Sequence, residues 1–139
     1  PRGGVRLWHN DGPADKLHER LIVHERGIYV RPHKQPGKSE STHVIGGAAD
    51  VVVFEDSGDV RELIEIGDYV SGKKFYYRLA EPVFHTLIIR SEVLVFHEPT
   101  NGPFRRSDSV FAPWAPRDDE VDSVRTFMAD LEYRLGLLK

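Results

Sequence analysis

The sequence predicts a mostly β domain, a small antiparallel sandwich or barrel, finished by one C-terminal amphipathic helix. Three observations carry this. About seven short β-rich runs follow one another, turn signals separate them at intervals of roughly 8 to 12 residues, and the last stretch repeats its apolar residues at helical spacing. With 139 residues, 40% hydrophobic and 29% charged, the chain suits a single domain large enough to bury a real core.

Residues 1–20 are mixed and turn-rich and read as an N-terminal arm, with a turn at "HNDGPAD" and a short helix over "DKLHERL". Residues 21–99 carry the β-barrel. "RLIVHERGIYVRPH" holds two β-rich runs broken at Glu25 to Gly27, and "THVIGGAADVVVFED" holds a strand pair with Gly46 and Gly47 inside. "EDSGDV" supplies a hairpin turn. In "VRELIEIG", Val60, Leu63 or Ile64, and Ile66 compete for the buried face, and "VFHTLIIRSEVLVFHE" reads as the last hairpin. Residues 100–117 form a docking arm, because Phe104, Phe111 and Trp114 are too apolar for a free linker. Residues 118–139 form the helix, with Val121, Val124, Phe127, Met128, Leu131 and Leu135 on one face and Asp118 and Asp119 near its positive end.

A formal net charge of −3 gives no general attraction to nucleic acid or anionic membranes, so neither is expected as a partner. The absence of cysteine removes thiolate ligands, disulfides and Cys nucleophiles. No apolar run approaches the roughly 18 residues of a membrane span, and the opening residues lack a signal-peptide core. These features fit a cytoplasmic protein.

The chemistry concentrates in "RPHKQPGKSE" at 31–40. On a regular strand Tyr29, Arg31, His33 and Gln35 share one side, and Val30, Pro32 and Lys34 the other. A polar row facing inward is costly unless it is hydrogen-bonded, binds a metal or lines a wet cavity. Glu40 returns toward the same side beyond the Pro36-Gly37 turn. Arg31 is then placed to hold a carboxylate or phosphate, and Tyr29 to serve as cavity wall or proton donor. Adjacent His97 and Glu98 cannot both face inward; either would serve as acid or base, and Glu98 is favoured by sharing parity with Leu94 and Phe96. Tyr77, with Phe75 and Tyr76, reads as core or as a sugar-stacking surface. His43 falls on the opposite face, and His9, His18 and His24 read as surface.

Gly27, His33, Gln35, Glu40 and Gly47 stand at the spacing of the first cupin motif, with Gln35 where its second histidine is expected. "AEPVFHT" offers His85 for the second motif, although Ala80 and Pro82 replace its Pro and Gly. Together with "FAPWAP" at 111–116, these residues resemble the WbuC family of cupin-fold metalloproteins over roughly residues 8–117. The resemblance implies a cupin double-stranded β-helix holding one divalent transition metal (Fe, Zn, Mn or Ni) on His33, Gln35, Glu40 and His85. It also implies a role in surface-polysaccharide biosynthesis, with a sugar or nucleotide-sugar ligand. A Gln amide oxygen is a weaker, harder donor than imidazole, yet two His and a carboxylate remain a sufficient set.

The expected function is therefore a metal-dependent sugar isomerase or epimerase. The metal would act as Lewis acid, Arg31 and Tyr77 would bind substrate, and Glu98, His97 or Tyr29 would move the proton. A non-catalytic carbohydrate or small-acid binding cupin and an Fe(II)-dependent oxygenase are the alternatives. The arm and the amphipathic helix together suggest a homodimer.

Overall fold

The computed structural model describes residues 4–138. In chain order the elements are β1 (Gly4–Trp8), β2 (Leu17–Glu25), β3 (His33–Lys34), β4 (Glu40–Gly46), β5 (Ala48–Phe54), β6 (Val60–Gly67), β7 (Tyr76–Leu79), β8 (Phe84–Ile89), β9 (Val93–Asn101), β10 (Val110–Phe111) and helix α1 (Val121–Gly136). They form two five-stranded antiparallel sheets, β1-β2-β9-β4-β7 and β10-β3-β8-β5-β6. The expected mostly β architecture with a C-terminal helix is what the chain adopts.

The chain passes repeatedly from one sheet to the other, and two expected hairpins turn out to be such crossings. β4 pairs with β7 and β9, whereas β5 pairs with β6 and β8. β8 and β9 likewise lie in different sheets. The first crossing turns at Gly47, whose φ of +89° is left-handed and where a Cβ would run into the Val93 carbonyl oxygen. Of the three hairpins expected from these runs, "EDSGDV" closes a true one, with Glu55 N–H donating to Asp59 O at 2.9 Å.

Two cores explain the apolar patterning. Ile22, Val44, Val51, Val53, Ile66, Leu94 and Phe96 pack between the sheets. Val52, Phe54, Phe84, Ile88, Ala112, Leu131 and Leu135 pack on the outer face of the second sheet, beneath α1 and the 111–116 segment. β5 is covered on both faces, which is why, apart from Asp50, it reads as an apolar run rather than an alternation. The same geometry resolves the competition in β6, where Ile64 and Ile66 face the first core and Val60 and Leu63 the second.

The docking arm lies on its own domain. Ala112 and Ala115 are buried, and the Trp114 ring sits 4.9 Å from Phe54, 5.8 Å from Phe84 and 6.2 Å from Phe127. Its indole N–H donates to Asp56 O at 3.0 Å. On α1 the buried contacts begin at Phe127 and end in Leu131 and Leu135, while Val121 is 62% exposed. No helix among the described residues is long and apolar enough to cross a membrane.

The N-terminal reading needs correction. Residues 17–25 are strand, not helix, and β1 pairs along them in full register, so the described part of the 1–20 segment belongs largely to the sheet. The strand period of "LHERLIVHE" is hidden because three of its inward residues, His18, Arg20 and His24, are polar.

Leu131→Ala removes a fully buried side chain and is expected to cost about 3 kcal/mol, whereas exposed Val121→Ala should stay within about 0.5 kcal/mol; urea denaturation of both variants checks the contrast.

Candidate functional site

The polar residues of the inner faces meet in one cavity of about 80 Å³ that borders the apolar core at Ile22, Leu87 and Phe96. β3 and β8 pair so that His33 lies directly across from His85, with ring centroids 4.6 Å apart. Nδ1 of His33 is 2.9 Å from Arg31 O and Nδ1 of His85 is 3.0 Å from Val83 O. A carbonyl oxygen only accepts, so each Nδ1 carries a proton, and Nε2 is the end of each ring that presents a lone pair when the imidazole is neutral. Burial, then the neighbouring His85, lowers the His33 pKa to about 4, which keeps this imidazole neutral near pH 7.

Glu40, on β4, has one carboxylate oxygen 3.8 Å from His85 Nε2 and the other 4.0 Å from the Arg20 guanidinium. Burial would raise its pKa, but His85, His33 and Arg20 outweigh that effect and hold it below the usual carboxylate value. Glu98, on β9, forms a short ion pair with Arg20. Burial and the charge of Glu40 nevertheless push its pKa up to about 8, against the opposing pull of Arg20. Burial likewise raises the Tyr77 phenol, keeping it a neutral donor. The Gln35 amide nitrogen donates to Ser109 Oγ at 3.3 Å, and its oxygen is buried with no hydrogen-bond partner.

Six of the residues singled out from sequence therefore line one cavity: His33, Gln35, Glu40, Tyr77, His85 and Glu98. Three others lie elsewhere. Residues 28–32 are not strand, so the expected alternation starts only at His33 and Val30 takes the inward position. Pro32 lacks a ladder donor, and the carbonyls of Val30 and Pro32 are engaged by Thr86 and by Ala112 N–H. Arg31 consequently lies over the Phe111 ring at 4.8 Å. Tyr29 donates its hydroxyl to Pro116 O at 2.9 Å and lines a larger open groove beside α1. His97 alternates away from Glu98 and sits 3.3 Å from Glu19 on the outer face of its sheet.

Sequence reasoning missed Arg20 and His24, which line the cavity from β2, and Arg6, which reaches it from β1. His24, expected at the surface, is buried, and burial followed by the charge of Arg6 lowers its pKa to about 4. His18 is buried too, beside Trp8 and Phe104. The available signal was their shared parity with Ile22. Among the described residues, no three His, Asp or Glu side chains gather tightly enough to form a metal cage as they stand; Glu40 is shared between Arg20 and His85 instead.

A family model described only as a domain of unknown function (DUF6016) matches residues 4–66, which include Arg20, His33, Gln35 and Glu40. No curated protein matches the chain. Among solved structures, protein SO0799 from Shewanella oneidensis is similar at 11% identity, with a TM-score of 0.62 over 79% of this chain and 74% of that one. Bacillus subtilis oxalate decarboxylase, whose structure is described for its Mn(II) centres, is similar at 21% identity and a TM-score of 0.54, over 70% of this chain and 24% of its own. Procruciferin, an 11S globulin from Brassica napus, gives 15% identity and a TM-score of 0.53, over 68% and 22%. The chain thus spans about a quarter of the length of these last two proteins. The likeness shows the fold, a small cupin β-sandwich.

The lowered histidines set a pH dependence. Between about pH 6.5 and 4 the unfolded chain takes protons on His33 and His24 that the folded protein refuses, so stability falls as pH drops through that window. His33 alone contributes on the order of 3 kcal/mol of the loss. Glu98, raised to about 8, acts in the opposite sense above its unfolded pKa, because there the folded state holds a proton that the unfolded state has released. In metal-free protein the fall toward pH 4 should be steeper in Glu98→Gln than in wild type, measured by urea midpoints across the range.

Proposed function

We propose that the cavity is a divalent-metal centre of a cupin, held by His33, His85 and Glu40 with the Gln35 oxygen as a weak fourth donor, and that it handles a small ligand. The observation that carries this reading is the matched pair of Nδ1-to-carbonyl hydrogen bonds, which leaves Nε2 as the metal-binding end of each of two facing imidazoles. The orphaned Gln35 oxygen is the second sign, since a buried acceptor without a partner costs free energy until something fills its lone pairs. Two imidazoles and a carboxylate suit zinc, iron, manganese or nickel.

When bound, such an ion supplies a Lewis acid for a carbonyl or hydroxyl oxygen. The chain supplies the rest. Glu98, with its pKa near 8, holds a proton around neutrality and gives it to, or takes it from, a substrate atom in the cavity. Tyr77 donates a neutral hydrogen bond, and Arg20 takes the anion-holding role expected of Arg31.

The WbuC-like motifs favour a sugar or nucleotide-sugar and an isomerase or epimerase reaction. The cavity's 80 Å³ is well below the roughly 300–1,000 Å³ of ordinary ligand pockets. A sugar would present only its reacting end and keep its bulk outside, so a smaller carbonyl or carboxylate compound fits better. A second reading, ligand binding without catalysis, is favoured by the weak Gln35 donor.

Purified protein reconstituted with Mn²⁺ or Zn²⁺ should hold near-stoichiometric metal by elemental analysis. Gln35→His is expected to tighten binding on the order of 10–100-fold and His85→Ala to weaken it at least as much. Metal that stays substoichiometric after reconstitution would sink the proposal.

A further inference from the structure

The charges around the cavity restrict what can enter with a metal. Within it, one guanidinium, Arg20, faces two carboxylates, Glu40 and Glu98. One negative charge is left over when both carboxylates are ionised. A divalent ion turns that into one positive charge, and Arg6 at the rim adds to it. Uncompensated charge in a buried, low-dielectric site is strongly disfavoured. The metal centre therefore needs an anion that the chain does not provide.

Three residues that line the cavity carry an orphaned polar atom, Gln35, Arg20 and His24, and the first two point to the same pairing. Gln35 Oε1 is a buried acceptor without a donor, and Arg20 Nε is a buried donor without an acceptor. One asks for a cation and the other for an anion. The remaining wall is apolar, formed by Ile22, Val30, Leu87 and Phe96. A volume of about 80 Å³ leaves room beside an ion for only a few heavy atoms.

We infer that the pocket takes its metal together with a small aliphatic monocarboxylate, whose carboxylate lies at Arg20 and whose short carbon end lies against the apolar wall, the two binding with positive coupling. This rests on the metal reading above and specifies the ligand class of the same site. The coupling is reciprocal, so each ligand tightens the other by the same factor.

Isothermal titration of the metal-stripped full chain with Mn²⁺ in chloride buffer, with and without saturating acetate, tests it. Acetate should tighten Mn²⁺ binding at least about fivefold, formate should do likewise, and benzoate, too large for the cavity, should not. Arg20→Gln should cut the acetate effect to below about twofold; if that variant does not fold, the acetate and benzoate comparison on wild type decides alone. An Mn²⁺ affinity unchanged by acetate, or raised equally by benzoate, overturns the coupling and leaves the metal centre standing. No Mn²⁺ binding in any buffer overturns the metal centre and the coupling together.

Discussion

The constraint on which this molecule depends is the burial of a polar row inside a β-sandwich. Between the sheets, one end is filled by Val51, Ile66, Ile89 and Leu94, which need only to be packed. At the other end β2, β3, β4, β8 and β9 turn Arg20, His24, His33, Glu40, His85 and Glu98 inward. A polar group there costs several times what its hydrogen bond returns if it is left unpaired. The fold therefore has to recover stability elsewhere, and it does so with a second apolar layer: α1 and the 111–116 segment cover the outer face of β8 and β5. A single sandwich core of this size, with one end given to charges, would be a thin source of stability.

Within the polar end Arg20 is the organising group. Its guanidinium pairs with Glu98 and stands 4.0 Å from Glu40, so two carboxylates that would repel each other share one cation. Such a buried pair is weak evidence for net stability, because a well-packed apolar replacement often does as well, but removing one partner is strongly destabilising. Its value here is positional. It holds the two carboxylates close together, where burial and the charge of Glu40 raise Glu98 while His85 and His33 lower Glu40, dividing two chemically identical side chains into two roles.

How much of this was legible in the sequence follows from what each signal depends on. Turn spacing, β-rich runs and the period of α1 report local backbone preference, and the architecture followed from them. Strand partnership was not legible, because "THVIGGAADVVVFED" and the run from Val83 to Glu98 look alike whether the second strand folds back or crosses to the other sheet. His33, Gln35, Glu40 and His85 were legible together through their resemblance to the cupin motifs. Arg31 and Tyr29 were misplaced because the alternation assumed a strand that begins only after Pro32. Arg20 and His24 escaped for the complementary reason: "LHERLIVHE" alternates, but its buried residues are mostly polar, and hydropathy reads such a strand as exposed.

Gln35 ties these points together. An amide divides its two ends between donor and acceptor, and here the nitrogen reaches Ser109 on the segment leading to β10 while the oxygen is buried at the cavity. A neutral imidazole also has one donor and one acceptor, and His33 and His85 each use the donor on their own backbone, two residues back. Gln35 instead spends its donor on a distant segment of the chain. Exchanging histidine for glutamine therefore trades donor strength toward a cation for a link between the cavity floor and residues 102–109. That segment is held further by Lys38, which donates to Pro103 O at 2.6 Å and pairs with Asp108 at 3.4 Å. The weaker donor and the tethered segment are one choice, and under the proposed metal reading it suits an ion held loosely until a second, anionic ligand completes the charge balance.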